Sequence, residues 1–429
     1  MFGFANFLLL ALFAAAVFDL IFALARGGGL RGALHGLWNT PHLLFGQQLA
    51  EWRLQLGRIL FAAGLAAYEI SVVFCNSMAR QNWAWVQGVM SPVLEWLAFL
   101  CFGAKILFGT RYTWRELLAG GALYFIARWV YFNSQNIWWI GIVVAVLAAK
   151  DVPLRRPLQV YFASGCAAMA GVLALHFAGI VAPDLTSERM GALRGTYGYG
   201  HPNTFGGLVF GLVLAYALLR AQKVRWVDCL LVFAVGVFLL VGPASRSAAL
   251  CTLALAVGLV FCRLRAGHSV PRWWPGTCAG MVGLTAAVSY LLPLLVIKVG
   301  PWNNDIGPAW LAKLDSLLTC RISLTWMAYR LLDVKIAGQV FNWPTVDNSF
   351  AFALFQFGPV VAALLGILFA AALWGHAKQG RRVEVCCLFA MLAYAYMEVQ
   401  PFHLTTNPTA LLLCGAVFAQ TSARWQKIE

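Results

Sequence analysis

Long apolar runs separated by short polar connections set the pattern of this chain. Runs long enough to cross a bilayer as helices, about 17 to 25 residues each, fall at 4–25, 58–78, 84–108, 115–133, 157–182, 203–220, 226–242, 246–263, 275–297, 348–374, 383–399 and 405–422. A shorter run at 136–149 adds another, so the pattern predicts an all-α polytopic membrane protein of about 13 transmembrane helices. The first run lacks a basic leader and is expected to be a retained span rather than a cleaved signal. Segment 26–57 is too polar to span; its Leu34, Leu37, Leu43, Leu44, Leu49, Trp52 and Leu56 predict a piece lying on the membrane surface. The longest polar interruption, 298–347, holds two short amphipathic helices, 308–317 and 319–332. In the second, Arg321, Thr325 and Ala328 share one face while Ile322, Trp326 and Tyr329 share another. No internal repeat appears. The whole reads as a single transmembrane domain, with a hydrophobic scaffold over 1–182 and a second half, 183–429, that carries the loops 183–202 and 298–347.

Composition agrees: 61% of the 429 residues are hydrophobic and only 11% charged, a balance outside the range of soluble globular domains. The formal net charge of +15 raises the question of nucleic acid, and the placement of the charges answers it. With the N-terminus outside, most of the basic residues fall in the connections on the cytoplasmic side: Arg26, Arg31, Arg53 and Arg58; Arg111 and Arg115; Lys150, Arg155 and Arg156; Arg220, Lys223 and Arg225; Arg263, Arg265 and Arg272; Lys378, Arg381 and Arg382; Arg424 and Lys427. This alternation fixes orientation by the positive-inside rule and gives no reason to expect a nucleic-acid partner. Trp83, Trp85, Trp138, Trp139, Trp226, Trp273, Trp274 and Trp374 stand at predicted helix ends as an aromatic belt. The 11 cysteines are scattered, with neither a disulfide framework nor zinc spacing; Cys386 and Cys387 are merely adjacent.

Given that orientation, the singular residues gather outside. The stretch 193–203, Leu-Arg-Gly-Thr-Tyr-Gly-Tyr-Gly-His-Pro-Asn, is the least membrane-like piece among the spans. Its glycines permit positive φ, and Pro202 suits the first position of a helix. The N–H groups from Asn203 onward, beside Arg194 and His201, would then form an anion site. Ser245 is placed to cap the helix after the turn 242–246, and Asp347 the helix after the long loop. Arg194, Arg246 and Arg321 would set three guanidiniums around one external pocket, a number suited to a diphosphate bound bidentately. Glu398 and His403 flank another external turn. Glu69, Glu95 and Arg128 lie within spans, where helix-packing pairs are the expected explanation.

In order along the chain stand Arg194-x-x-Tyr197-Gly198-Tyr199-x-His201-Pro202-Asn203, Ser245-Arg246-Ser247, Leu317-Leu318-Thr319-x-Arg321 with Trp326, Val346-Asp347-Asn348-Ser349 with Phe357-Gly358, and Tyr396-x-Glu398. This succession, covering about 194–410, resembles the O-antigen ligase and polymerase superfamily. It is most similar to its capsular and exopolysaccharide polymerases of Wzy type, in the branch typical of Gram-positive bacteria. The chain departs from the pattern at Asp347, where the ligase branch commonly carries His, and at Cys320, where a small residue is expected.

The resemblance implies a GT-C-like membrane glycosyltransferase of the cell membrane, its site on the extracytoplasmic side, working without a metal or other cofactor. Such enzymes move a glycan from undecaprenyl diphosphate onto a hydroxyl of a second lipid-linked repeat unit, and a chain-length regulator is a further expected partner. Arg194 and Arg321 would then hold the diphosphate, with Arg246 assisting. His201 or Asp347 would take the acceptor proton, and Tyr197, Asn203, Asn348 and Glu398 would bind substrate. The resemblance implies metal independence, and no DxD-like external motif is present; Asp305 and Asp315 stay open as the two external carboxylates of the long loop. A ligase using another acceptor shares these motifs. A flippase or transporter should instead show inverted repeats and broken midplane helices, and the sequence pattern shows neither.

Overall fold

The computed structural model describes residues 2–26, 29–45, 51–181, 187–189, 192–296 and 308–418. In chain order its helices are α1 (Phe2–Ala25), α2 (Gly29–Asn39), α3 (Glu51–Cys75), α4 (Ala79–Asn82), α5 (Ser91–Phe108), α6 (Trp114–Ser134), α7 (Ile137–Ala148), α8 (Arg155–Phe177) and α9 (Pro202–Leu219). There follow α10 (Trp226–Val241), α11 (Arg246–Leu264), α12 (Trp274–Leu291), α13 (Ala309–Leu317), α14 (Arg321–Leu331), α15 (Ser349–Phe352), α16 (Pro359–Lys378), α17 (Arg382–Met397) and α18 (Cys414–Val417). Among the described residues, strands form two short antiparallel pairs, 42–43 with 111–112 and 187–189 with 192–194.

Among the described residues, eight helical stretches are long and apolar enough to cross a membrane: Gly3–Ala25, Glu51–Cys75, Val86–Phe108, Arg155–Phe177, Pro202–Leu219, Arg246–Leu264, Trp274–Leu295 and Pro359–Lys378. The chain is thus an all-α, multi-pass membrane protein. Shorter apolar helices lie at Ile137–Ala148, Trp226–Val241 and Pro408–Val417. The helix α6 has the length to span, 21 residues, but Arg115, Glu116 and Arg128 dilute its apolar character.

Three expectations from the apolar runs are corrected by the backbone. Segment 26–57 is not one surface piece: α3 starts at Glu51, whose carboxylate favours the positive end of the helix, and Trp52 and Leu56 belong to this 25-residue helix, while Leu49 lies outside the described residues. The run 348–374 does not form one span. It is broken at Gly358, which takes φ +88 and ψ 165 after a π turn over Ala353–Phe357, and Pro359 then opens α16. The run 405–422 begins as turn and 3-10 backbone before the four residues of α18, while 419–422 lie outside the described residues.

Clustering of contacts divides the chain into two compact units. One comprises 1–128, 140–204 and 410–429. Within it α3 packs on α5 and α8, and Gly57 on α3 touches Gly109, where an added Cβ would meet the Gly109 oxygen at 2.8 Å. Arg128 donates from Nε to Asn6 Oδ1 of α1 at 2.8 Å, and buried Lys105 donates to Thr110 Oγ1 at 2.7 Å. The expected pairing of ionisable groups inside spans therefore holds for Arg128.

The other unit comprises 129–139 and 205–409. Here α10 packs on α11, α11 on α17, and α12 on α16. The break at Gly358 is held by a backbone crossing: Gly338, at φ +73, lies against Gln356 and Phe357, and Gly358 against Lys335 and Ile336. Only residues without Cβ allow main chains so close, so these two glycines set the path of 349–357. The two short loop helices expected from the amphipathic pattern are present as α13 and α14, with Arg321, Ile322, Thr325 and Ala328 buried.

Candidate functional site

In the second unit, residues from four of the five ordered motifs meet. Arg321 opens α14 after two successive left-handed residues, Thr319 at φ 61 and Cys320 at φ 64. This reversal is stapled by Asp315 of α13, whose Oδ1 accepts from the backbone N–H of Ile322 at 2.7 Å and of Ser323 at 3.2 Å. It thereby satisfies donors that a helix start leaves open. Asp315, considered for an external acidic pair, is thus a structural cap for α14; its companion Asp305 lies outside the described residues.

The Arg321 guanidinium is turned into the protein. Nη2 lies 2.6 Å from Glu398 Oε1 and 3.3 Å from Ser247 Oγ. Nη1 donates to Leu318 O at 2.8 Å and Thr319 Oγ1 at 2.7 Å, and Nε donates to Met397 O. A guanidinium has five N–H donors, and these contacts use them all. Ser247 Oγ in turn donates to Glu398 Oε1 at 2.8 Å. The side chains of Arg321 and Glu398 are each only 6% exposed.

Glu398 sits at the C-terminal cap of α17, while Ser247 and Arg321 belong to the first turns of α11 and α14. The carboxylate therefore faces the positive ends of two helices as well as a guanidinium. Arg321 is itself poorly placed at a helix N-terminus, and Glu398 with the Leu318 and Met397 carbonyls offsets that. The pair forms a charge-assisted unit in which every guanidinium donor is used.

The Val-Asp-Asn-Ser motif joins the same cluster, with its roles shifted by one residue. Asn348, not Asp347, caps α15: its Oδ1 accepts from Phe350 N at 2.9 Å and Ala351 N at 3.0 Å. Asn348 has the extended backbone that an N-cap needs, φ −75 and ψ 118. Asp347 lies one residue too early and is half-buried. Asn348 Nδ2 donates to Ser289 Oγ at 3.1 Å and Tyr396 O at 3.0 Å, and Ser349 Oγ donates to Glu398 O at 2.5 Å. Ser245 precedes α11 as expected but makes no side-chain cap bond. Arg246, exposed, is the first residue of α11.

The first motif lies in the other unit. Its turn takes positive φ at Tyr197 (51) and Gly198 (81), while Gly195 and Gly200 do not. Gly198 O accepts from Met78 N at 2.8 Å, and Tyr199 bridges Ser77, so the stretch is anchored on the end of α3. Pro202 opens α9 as the sequence predicts. Arg194 is buried, with Nη2 donating to Asn203 Oδ1 at 2.9 Å. His201 is exposed, and its Nδ1 accepts from Asn203 N at 3.1 Å. The first N–H of the expected anion site is therefore engaged by His201, and a neutral imidazole with this bond carries its proton on Nε2.

His403, in the turn after Glu398, lies against Trp138 with ring centroids 3.7 Å apart. Burial removes water from the imidazole and lowers its pKa to about 3, so it is neutral at ordinary pH.

Sequence reasoning thus selected Arg321, Asn348 and Glu398, which the fold brings together, and it quoted Ser247 and Ser349 within motifs without assigning them a role. Thr319 was likewise quoted within a motif without a role, and Met397 was missed; their contacts depend on the left-handed turn and on the exact end of α17, neither of which side-chain pattern signals. No family model matches this chain, and no curated protein or solved structure matches it.

Proposed function

We propose that this chain is a membrane glycosyltransferase of GT-C-like fold with about 13 transmembrane helices, a Wzy-type polysaccharide polymerase. It transfers a glycan from undecaprenyl diphosphate to a hydroxyl of another lipid-linked repeat unit at the outer face of the cell membrane. The observation that carries this reading is the convergence of Ser247, Arg321, Asn348, Ser349 and Glu398 in one buried network. These residues come from four motifs spread over about 150 positions, and hydropathy alone gives no reason for them to meet.

In the reaction the bond from the sugar carbon to the diphosphate oxygen breaks, its electron pair leaving with the lipid diphosphate. The acceptor oxygen forms the new bond and gives its proton to a base. Arg194 and Arg321 hold the diphosphate and stabilise the charge that grows on it; Arg246, exposed at the start of α11, assists. His201 has its lone pair engaged by Asn203 N–H, so the role of base passes to Asp347, half-buried beside the network. Asn348 and Glu398 act as positioning residues, and Tyr197 lines the donor loop.

Purified protein incubated with undecaprenyl-diphosphate-linked oligosaccharide tests the reading. A ladder of lengthening glycans is expected. A single transfer to a lipid or protein acceptor would make the chain a ligase. The break at Gly358 is a feature that the sequence pattern did not show and that transporters use; movement of the lipid-linked sugar across proteoliposomes with no transfer would overturn the enzymatic reading.

A further inference from the structure

The helices α11 and α17 lie side by side and run antiparallel. Ser247 at the start of α11 meets Glu398 at the end of α17, and Cys262 in the last turn of α11 meets Cys386 in the first turns of α17. Between these contacts lie roughly 20 Å of helix. Cys262 Sγ and Cys386 Sγ stand 3.5 Å apart, a thiol–thiol contact between two elements far apart in sequence. Cys262 is buried and Cys386 partly exposed. One turn before Cys262, Gly258 has no side chain, and a Cβ there would lie 3.1 Å from Cys386 Sγ. The groove on α11 is thus shaped to admit the Cys386 thiol.

We propose that Cys262 and Cys386 form a reversible dithiol–disulfide clasp that ties α11 to α17. A disulfide needs its sulfurs about 2.05 Å apart, so the pair closes by about 1.5 Å. A peroxide is a sufficient oxidant. One thiol, as thiolate, attacks the O–O bond and becomes a sulfenic acid, while the departing hydroxide takes up the released proton as water. The second sulfur then displaces hydroxide from the first, and this hydroxide leaves as water with the second thiol's proton. Two thiols are oxidised by two electrons and one peroxide gives two waters. A small dithiol reverses the step by exchange. Closing the clasp fixes one end of the helix pair whose other end holds Ser247 against Glu398.

The test uses the full chain in detergent, treated with hydrogen peroxide, after which remaining thiols are alkylated and peptides mapped without reduction. The expected result is a Cys262–Cys386 cross-link, a loss of two titratable thiols, a raised thermal midpoint, and return of all three to their starting values with dithiothreitol. Cys387→Ser should leave the cross-link in place and Cys262→Ser should abolish both it and the thermal shift. Oxidation of Cys386 to a sulfinic acid without a cross-link, or a cross-link through Cys387, overturns the proposal. Mapping of the wild-type chain decides this even if a variant fails to fold.

Discussion

Glu398 Oε1 stands 2.6 Å from Arg321 Nη2 in a setting where each side chain keeps only 6% of its surface. Two charges buried this deeply are held by each other and by the Ser247 hydroxyl. Removing one partner strands the other, at about 3 to 5 kcal/mol. Glu398→Ala and Arg321→Ala should each lower stability by that order and abolish glycan transfer. The double variant Arg321→Met, Glu398→Gln should recover part of the stability and none of the activity. Thermal unfolding beside the oligosaccharide assay checks both, and an active Arg321→Lys protein would show that the guanidinium fork is not needed.

The two residues before Ser349 should separate cleanly. Asn348→Ala removes a cap and two buried donor bonds, so a loss of about 2 kcal/mol is expected. Asp347→Asn should change stability by less than about 0.5 kcal/mol while reducing transfer sharply if Asp347 is the base. Unfolding curves and initial rates, with the pH profile of Asp347→Asn set against that of His201→Gln, distinguish these outcomes.

Cys320 is exposed in the loop that the basic connections assign to the outside. In a variant whose other cysteines are serine, an impermeant maleimide should label Cys320 on intact cells. Labelling confined to lysed cells would reverse the orientation.

For His403 the sign follows from its lowered pKa of about 3. The unfolded chain, with an ordinary imidazole near 6.5, binds a proton that the folded chain does not between about pH 6.5 and pH 3. Its contribution to stability is therefore present above about pH 6.5 and is lost as pH falls toward 3, by at most about 1.4 kcal/mol per pH unit. His403→Gln should flatten the fall in thermal midpoint between pH 6.5 and 4. An unchanged slope would mean that other groups carry it.

At Gly358 an added Cβ would lie 2.6 Å from the Ile336 carbonyl carbon. Gly358→Ala should therefore cost well beyond the roughly 1 to 2 kcal/mol of a left-handed alanine and displace α15, which a reduced yield of folded protein would register. Normal stability would show that the crossing can open.

Hydropathy located the long helices because a bilayer-length apolar run leaves few alternatives. It missed the break at Gly358 because the run stays apolar through a residue whose φ is set by a neighbouring segment. The cap assignment failed at Asp347 and Asn348 because both side chains can cap, and the choice rests on where the helix begins, which is at Ser349. Arg321 and Glu398 were visible as charges in an apolar chain. That they face each other was not, since 77 positions separate them and no local pattern encodes their contact. The Cys262–Cys386 approach was hidden likewise, between thiols in two different runs.

The saturation of the Arg321 guanidinium has a consequence for how any anion is held there. With Glu398, Ser247, Thr319 and two carbonyls already accepting its donors, an arriving phosphate enters by exchange and not by filling a vacancy. Its measured affinity is the difference between two pairings of one cation. Occupancy at Arg321 and release of one of these acceptors then rise together, so a titration of the anion is at the same time a titration of the contact it displaces.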